Sequence, residues 1–273
     1  MDKNLRQRLI SGVIMAALFL SLLLYSAGTA QALFIIIMLA MIYEYCGITL
    51  AGITSAFSYV FLSILSSITL VILGVYKYGN DSLIDLVNII SVIYILILIA
   101  ILLTKKITVQ NKFIVIQSLL YICLPIMVLL YWIKESEDYK MVLFSVFAMI
   151  WISDIAAYFT GKQFGKRKLF VQISPKKTWA GFIGAGIFTL LASLVAFHFI
   201  GIYSMISWLI IGLIIWISGS FGDLVESALK RHYQIKDSGT LLVGHGGFLD
   251  RLDSFIFVVP FVLLFINIFL DAT

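Results

Sequence analysis

Charge, cysteine and proline are all scarce in this sequence, and each shortage excludes a class of protein. Charged residues make up 12% of the 273 positions, about half of their usual share in soluble domains, so a water-soluble globular fold is excluded. The two cysteines, Cys46 and Cys123, lie in apolar runs, which excludes a disulfide scaffold and gives no sign of a redox or metal-binding thiol pair. Three prolines and 19 glycines are too few for a collagen-like or disordered chain.

Long apolar runs fill most of the chain. Hydrophobic residues account for 62% of it, and the mean hydropathy is +1.09. Because a membrane-crossing helix needs about 20 mostly apolar residues, the runs between charges and turn signals predict nine spans, at 9–26, 31–50, 55–76, 83–103, 113–133, 141–161, 179–200, 205–222 and 254–270. The sequence therefore predicts an all-α, polytopic integral membrane helical bundle. We treat it as a single membrane domain, 1–273, with N-terminal spans over 1–140 and spans that are joined by the more polar loops over 141–273.

Lysine and arginine are distributed unevenly between the predicted loops, and this predicts the orientation. Basic residues concentrate in short cytoplasmic loops, and an N-terminus on the inside places 16 of the 19 there, leaving Lys77, Lys134 and Lys140 outside. We therefore expect the N-terminus inside and the C-terminus outside. Two alternatives stay open. One is a cleaved signal peptide at the basic start of the chain, and the other is a re-entrant hairpin at the short connection 46–55, which has Glu44 as its only ionisable neighbour.

A first polar stretch, 153–179, covers the end of the sixth predicted span and the loop after it. Asp154 lies near the end of that span, where an acid is costly enough to mark a functional site. It can also be an interfacial acid that pairs with a following lysine. Downstream, Gly161, Lys162 and Gly165 with three further basic residues form a basic loop, which either binds an anion or only sets the topology.

The segment 174–179, Ser-Pro-Lys-Lys-Thr-Trp, has the residue types of a helix start. Serine suits an N-cap and proline the first helical position, so the pattern predicts that the seventh helix begins at Ser174-Pro175. Free N–H groups, the helix dipole and the side chains of Lys176, Lys177 and Thr178 would then form a phosphate cradle at the membrane surface. The alternative is a lipid-headgroup anchor, with the tryptophan in the interfacial aromatic belt.

A second polar stretch precedes the last span. If the eighth span continues helically, Asp223, Glu226 and Lys230 share one face, and a second short helix before the last span places Asp250 and Asp253 on one face as well. Two helices can therefore aim carboxylates at one point. Hard oxygen ligands suit Mg²⁺, which usually takes one or two carboxylates and completes its shell with water and phosphate oxygens. A solvated loop with internal salt bridges is the alternative.

This second stretch resembles the signature of one family. Ser227 to Asp253 read S-A-L-K-R-x4-K-D-S-G-x2-L-x-G-H-G-G-F-L-D-R-L-D, and the run closely resembles the signature of the phosphatidate cytidylyltransferases, the CDP-diacylglycerol synthases. The upstream G-D-L-x-E-S, Asp154 with Ala157-Tyr158, G-K-x-F-G-K and S-P-K-K-T-W are also similar to that family and occur in its order. The resemblance covers the C-terminal part of the chain, and the earlier part is similar only in consisting of membrane spans.

The resemblance implies a membrane-embedded nucleotidyltransferase of phospholipid biosynthesis. Such an enzyme makes CDP-diacylglycerol and pyrophosphate from CTP and phosphatidic acid, by in-line attack of the lipid phosphate on the α-phosphorus of CTP. The implied cofactor is Mg²⁺, and a second cation stays open. The expected partners are CTP, phosphatidic acid and membrane lipids, with no nucleic acid, and a homodimer also stays open. We expect a multi-pass protein of a bacterial cytoplasmic membrane, with its active site facing the cytoplasm.

The resemblance also implies roles for individual residues. Asp223 and Asp250 are the expected principal metal ligands, and Glu226 and Asp253 complete or support the shell. The expected catalytic residues are Asp223, His245, Asp250, Arg251 and Asp253, with the histidine near the leaving pyrophosphate. The residues expected to bind substrate are Lys162, Lys176, Lys177, Thr178, Ser227, Lys230, Arg231, Lys236 and Asp237.

Other functions compete with this one. A transporter or channel for an anionic solute would use the same basic residues as a vestibule, but it needs ionisable residues deep within several spans, whereas here they cluster near one face. A lipid kinase is a second enzyme alternative. A phosphatidyltransferase that consumes a CDP-alcohol usually carries D-x2-D-G-x2-A-R, which the sequence lacks. A purely structural membrane scaffold would need neither polar stretch.

Overall fold

The computed structural model describes residues 3–51, 56–104, 113–242 and 246–270, with side chains from residue 12 onwards. Helices make up 83% of the structure, in nine helical segments within these ranges. They are α1 (Lys3–Tyr25), α2 (Ala27–Thr49), α3 (Ala56–Val71) with a π-helical continuation (Ile72–Lys77), α4 (Asp81–Thr104), α5 (Ile114–Ser118) joined through a π-helical turn (Leu119–Cys123) to α6 (Leu124–Glu135), α7 (Tyr139–Phe164), α8 (Trp179–Ile200), α9 (Met205–His232) and α10 (Leu249–Phe269).

The nine segments correspond one to one with the nine predicted spans. Eight of them, in the described part of the chain, are long and apolar enough to cross a membrane, and α1 is a helix of 23 residues. The prediction of an all-α polytopic bundle is confirmed. Helices α2 and α3 are both of spanning length, which favours two crossings over a re-entrant hairpin, although their connection at 52–55 lies outside the described residues.

Of two helix boundaries near the second polar stretch, one agrees with the sequence reading and one needs correction. Helix α9 continues past the apolar run at 222 to His232, which is the condition for the shared face of Asp223, Glu226 and Lys230. Helix α10 begins at Leu249, so the short second helix predicted there is the first part of the last span. At both places the helix includes charged residues and so extends beyond the apolar sequence that marks a span.

Neighbouring helices run in opposite directions, and this gives the bundle two polar ends. At one end, the Lys140 ammonium at the start of α7 donates to the carbonyl oxygen of Tyr25 at the end of α1 (3.4 Å). At the other end, the Glu44 carboxylate near the end of α2 accepts from the amide of Phe248 just before α10 (3.0 Å). The ends of α7 and α9 and the starts of α8 and α10 also lie here, and we call this the site end.

Close packing of α7 with α8, and a stack of aromatic rings, hold the bundle together. A Cβ atom at Gly184 on α8 would collide with Thr160 on α7, so glycine is needed for this close approach, as is common between membrane helices. In the core, the rings of Phe147 and Phe255 stack with centroids 4.4 Å apart, and those of Phe34 and Phe255 lie 5.6 Å apart. These contacts fix α10 against both α2 and α7.

A β-hairpin connects α7 with α8 at the site end. Strand β1 (Lys168–Phe170) pairs antiparallel with β2 (Ser174–Thr178), and Leu169 of the hairpin packs against a small cluster that includes Leu224 of α9. The predicted helix start at Ser174-Pro175 is therefore wrong. Pairing with β1 keeps these residues extended, and α8 begins only at Trp179, with Thr178 as its N-cap.

Candidate active site

A cavity of about 480 Å³ opens at the site end. Its wall is formed by α7, β2, α8, α9 and the start of α10. Apolar side chains make up much of the wall, and it also contains four carboxylate and four basic side chains: Asp154, Asp223, Asp250, Asp253, Lys176, Lys177, Lys230 and Arg251. The structure therefore brings the two polar stretches of the sequence to one place.

Asp223 connects the hairpin with α9. One oxygen of its carboxylate lies 2.7 Å from the ammonium of Lys177 on β2. The other accepts from the hydroxyl of Ser227 (3.1 Å), one helical turn further along α9, as the predicted shared face requires. Both side chains of the ion pair are partly exposed to the cavity, so an anion that enters the cavity can reach Lys177.

Lys230 forms a second, more deeply buried ion pair. Its ammonium lies 2.7 Å from Asp250 and also contacts Glu226, one turn earlier on α9. The side chains of Lys230 and Asp250 are each 12% exposed, and that of Glu226 is 0% exposed. Glu226 is not part of the cavity wall. It lies beneath Lys230 and fixes that ammonium from behind.

The Asp250 carboxylate is fixed by the backbone as well. It lies in the first turn of α10, and one of its oxygens accepts from the amides of Ser238 and Gly247 (both 2.9 Å). An anion at this position is favoured by the helix dipole. The turn before it needs glycine, because Gly246 has a φ of +84° and a Cβ there would lie 2.9 Å from the same oxygen.

Asp253 and Asp154 complete the acidic part of the wall. Asp253 is buried, and its Oδ1 accepts from the amide of Ser254 (2.7 Å). The hydroxyl of Ser254 in turn donates to the carbonyl of Gly219 on α9 (3.1 Å), which keeps α9 and α10 together at this depth. Asp154, on α7, interacts electrostatically with Asp223 and Lys177. The sequence analysis left open whether Asp154 marks a functional site or pairs with a lysine, and in the structure it lies in the cavity wall.

Several predicted site residues lie elsewhere. The hydroxyl of Ser227 donates to the Asp223 carboxylate and does not itself line the cavity. The Lys162 ammonium lies over the ring of Tyr158, 5.8 Å from its centroid. The guanidinium of Arg231 donates to the carbonyl of Ile235 (2.9 Å), because the residue after Lys230 points to another side of the helix. Outside the cavity wall are Lys162, Ser227, Glu226, Arg231, Lys236 and Asp237, and His245 lies outside the described residues.

Thr178 lines the cavity, but its hydroxyl has a structural partner. It is 5% exposed, and its Oγ1 accepts from the amide of Gly181 (3.1 Å), which caps α8. The predicted phosphate cradle at this helix start is therefore wrong in its geometry. Lys176 and Lys177 still reach the cavity, but they do so from a β-strand.

The four predicted metal ligands are not assembled into one shell. Within the described ranges, no three Asp, Glu, His or Cys side chains form a group that could hold a metal ion, and Glu226 is paired with Lys230 instead. The donors that do face the cavity are carboxylate oxygens, which are the ligands that Mg²⁺ prefers. This set fits a Mg²⁺ ion held by one or two carboxylates together with substrate phosphates and water, rather than an ion enclosed by the protein alone.

One residue of this region was not predicted from the sequence. Glu44, on α2, is 3% exposed and contacts the segment just before α10. Its only signal in the sequence is that it is an acid at the end of an apolar run, a type of position that is costly and often functional in membrane proteins.

Comparison with known proteins decides the family. A model of the cytidylyltransferase family matches residues 6–269. This chain belongs to that family. A phosphatidate cytidylyltransferase of Staphylococcus haemolyticus (strain JCSC1435) is 32% identical over 260 residues, which cover 94% of this chain and 96% of that protein. One of Staphylococcus aureus (strain COL) is 35% identical over 201 residues, or 72% and 76% of the two chains.

The relative from Bacillus subtilis (strain 168), also a phosphatidate cytidylyltransferase, is 46% identical over 140 residues. That alignment spans 50% of this chain and 52% of the relative, so it covers only about half of each. The resemblance inferred from the sequence motifs is confirmed. With it, the class of enzyme is confirmed as a nucleotidyltransferase of phospholipid biosynthesis.

Proposed function

We propose that this enzyme makes CDP-diacylglycerol and pyrophosphate from CTP and phosphatidic acid at the cytoplasmic face of a bacterial inner membrane. The observation that carries the proposal is the cavity at the site end, where carboxylates, ammonium groups and apolar side chains share one wall in a chain of the cytidylyltransferase family. A phosphate-bearing lipid and a nucleotide triphosphate together require all three kinds of surface.

The apolar part of the wall suits a lipid substrate. It includes Trp151 and Tyr158 of α7, whose side chains also lie on the outer surface of the bundle. A lipid headgroup can thus enter the cavity while its acyl chains stay in the bilayer. Moving two such chains into water would cost on the order of 20 kcal/mol, at about 0.8 kcal/mol for each methylene. The reaction must therefore take place where the lipid already is.

The charges of the wall support a cation that binds with the substrates. Four acids and four bases face the cavity, so their formal charges cancel, and the triphosphate and lipid phosphate would add a large negative charge. Mg²⁺ would offset that charge and orient the phosphates for in-line displacement. By the resemblance to the family, Asp223 and Asp250 are the residues that would hold it, with Asp253 in support, and all three carboxylates line the cavity.

The protein's own side chains would bind the phosphates and position them for the reaction. The ammonium groups of Lys177 and Lys230, with Lys176 and Arg251 beside them in the wall, can bind phosphate oxygens and hold the lipid phosphate in line with the α-phosphorus. The attacking oxygen is already ionised at neutral pH, so no strong general base is needed. His245 remains a predicted donor to the leaving pyrophosphate. Positioning and charge neutralisation account for most of the catalysis of phosphoryl transfer.

The orientation of the enzyme follows from charge and substrate supply. The site end contains the basic hairpin between α7 and α8 and the basic last turn of α9. Basic segments of this kind are retained in the cytoplasm, where CTP is also found. We infer an N-terminus inside and a C-terminus outside, as the distribution of lysine and arginine predicts.

A labelling experiment tests the reaction and separates it from that of a lipid kinase. Purified protein is incubated with phosphatidic acid, Mg²⁺ and CTP that carries ³²P at either the α or the γ position, and the lipids are extracted. We expect α-label in the organic phase and γ-label in pyrophosphate. γ-Label in the lipid, or a requirement for diacylglycerol, would indicate a kinase. No label in the lipid from either CTP would refute the proposed reaction.

A further inference from the structure

Glu44 connects the N-terminal half of the chain with the active site. It lies on α2, and its carboxylate is buried against residues that follow it by about 200 positions. Oε1 accepts from the amide of Phe248 (3.0 Å), and Oε2 accepts from the amide of Leu249 (2.9 Å) and the hydroxyl of Ser238 (3.2 Å). Three donors thus share one carboxylate, and charge-assisted hydrogen bonds of this kind are among the stronger ones.

These contacts complete the start of α10. The first amides of a helix have no partner within the helix, and a side chain at the N-cap position usually supplies one. Here the N-cap residue is Phe248, which makes no side-chain capping bond. Glu44, on another helix, supplies this acceptor. Its negative charge also interacts favourably with the positive, N-terminal end of the α10 dipole.

Ser238 connects Glu44 with Asp250 by hydrogen bonds. Its hydroxyl donates to Glu44 and accepts from the amide of Asp250 (3.3 Å). Its own amide donates to the Asp250 carboxylate (2.9 Å). Asp250 is thus held on one side by Lys230 and on the other by a segment that Glu44 fixes.

Two glycines allow the carboxylate to approach this closely. A Cβ atom at Gly239 would lie 2.6 Å from Oε1 of Glu44, and the three atoms nearest to it all belong to that side chain. A Cβ atom at Gly247 would collide with both Ser238 and Glu44. The segment around Asp250 is therefore shaped to enclose the Glu44 side chain.

We infer that Glu44 is a positioning residue of the active site, which fixes Asp250 and the start of α10 in the geometry that the reaction needs. This inference rests on the proposed function, because it assigns Asp250 a part in the reaction. It makes the first half of the chain a component of the site rather than only an anchor in the membrane.

The decisive variant is Glu44→Gln. Its amide group has a single acceptor oxygen where the carboxylate has two, so at least one of the amides of Phe248 and Leu249 would face another donor. We expect kcat for CDP-diacylglycerol formation to fall about 10- to 100-fold, the loss that corresponds to about one charge-assisted hydrogen bond, with a much smaller change in KM for CTP. Hydrogen exchange of the amides at 238–242 and 246–249 should become faster while the rest of the bundle keeps its protection.

A matched control exists on the same helix. Gln31 lies at the opposite end of α2, is also buried, and binds the carbonyl of Leu130 (2.9 Å) and the hydroxyl of Tyr76 (3.2 Å). The Gln31→Leu variant removes a comparable set of bonds far from the site. We expect it to lower thermal stability at least as much as Glu44→Gln and to leave kcat within about twofold of the wild type, since a loss of stability alone does not change the turnover of the folded enzyme.

A second variant keeps the test valid if Glu44→Gln folds poorly. Gly239→Ala should lower kcat when Glu44 is present but add no further loss in a Glu44→Ala background, because the clash is with Glu44. Such non-additivity is expected for residues in contact and not for distant, independent sites.

Three outcomes would overturn the inference: kcat of Glu44→Gln within twofold of the wild type, an equal loss of kcat in Gln31→Leu, or independent effects of the changes at 44 and 239. If the wild-type protein does not convert CTP at all, the proposed function fails instead. The hydrogen-exchange comparison then still reports whether Glu44 fixes the segment.

Discussion

Replacement of Lys230 by methionine tests the buried centre of the site. Its ammonium lies between Glu226 and Asp250, and the three side chains are 12%, 0% and 12% exposed. Methionine keeps most of the apolar stem but removes the charge, so two carboxylates would face each other with little water. Removal of one partner from a buried ion pair costs about 3–5 kcal/mol. Since folded proteins are stable by about 5–15 kcal/mol, this loss is a large fraction of the total.

The loss can be measured by unfolding in sodium dodecyl sulfate, followed by tryptophan fluorescence. Lys134→Met is the matched control, because the Lys134–Glu135 pair (2.8 Å) is 42% and 51% exposed, and exposed pairs contribute only about 0–1 kcal/mol. If Lys230→Met loses no more stability than this control, the pair is not desolvated as the structure indicates.

A second substitution separates stability from catalysis. In Lys230→Met with Glu226→Gln, the buried carboxylate is replaced by a neutral amide, and we expect most of the stability to return. Activity in the CTP assay should stay low, because the proposed phosphate-binding ammonium is still absent. If the double variant regains wild-type turnover, Lys230 has only a structural role.

Four further predictions concern the remaining parts of the site. Asp250→Asn should abolish turnover but leave membrane insertion intact, because it removes the charge that binds Lys230 and that would bind a metal; retained activity would exclude it from the site. Lys177→Ala should raise KM for CTP or phosphatidic acid several-fold, whereas Lys162→Ala, which lies outside the cavity wall, should not; equal KM values would assign Lys177 to topology only. Chelation of divalent ions with EDTA should stop turnover, and added Mg²⁺ should restore it; full activity in EDTA would refute the metal requirement. Single cysteines at Asn80 and Thr240, which lie at opposite ends of the bundle, should react with impermeant reagents from opposite sides of the membrane, and labelling from the same side would reject the nine-span arrangement.

The spans could be predicted from the sequence because each one is an apolar run of sufficient length, and no contact with another helix is needed to recognise it. Their ends were less certain at the active site. Helix α9 continues to His232 through charged residues for which the sequence left a helix and a solvated loop as alternatives. Asp223 and Lys230 of this part face the cavity, and hydropathy does not distinguish a polar helix face from a polar loop.

The start of α8 shows how a local signal can lose to a tertiary contact. Ser174-Pro175 and Thr178 are both suitable helix starts, and an N-cap contributes only about 1 kcal/mol. Pairing of 174–178 with β1, and packing of the hairpin on α9, decide in favour of Thr178. The strand partner lies in a basic segment without a strand-like pattern, so no sequence pattern predicts it.

The role of Glu44 could not be predicted for a different reason. Its partners follow it by 204 and 205 positions, and their proximity depends on how α2 packs against α10. The family motif, which begins at Ser227, contains the partners Ser238, Phe248 and Leu249 but not Glu44 itself. A motif of contiguous residues thus identified the chemistry while omitting the side chain that fixes its geometry.

The two ion pairs of the cavity also affect how nucleotide and cation can bind to the site. Each pair joins a carboxylate proposed to bind the metal, Asp223 or Asp250, to a lysine proposed to bind phosphate, Lys177 or Lys230. If phosphate took a lysine alone, the carboxylate would be left without its counter-charge, and in a partly buried site this is costly. If a cation bound the carboxylate alone, the lysine ammonium would be left without its counter-charge. Under the proposed function, nucleotide and cation therefore compensate each other's cost when they bind together, and the paired arrangement favours the metal–nucleotide complex over either component alone.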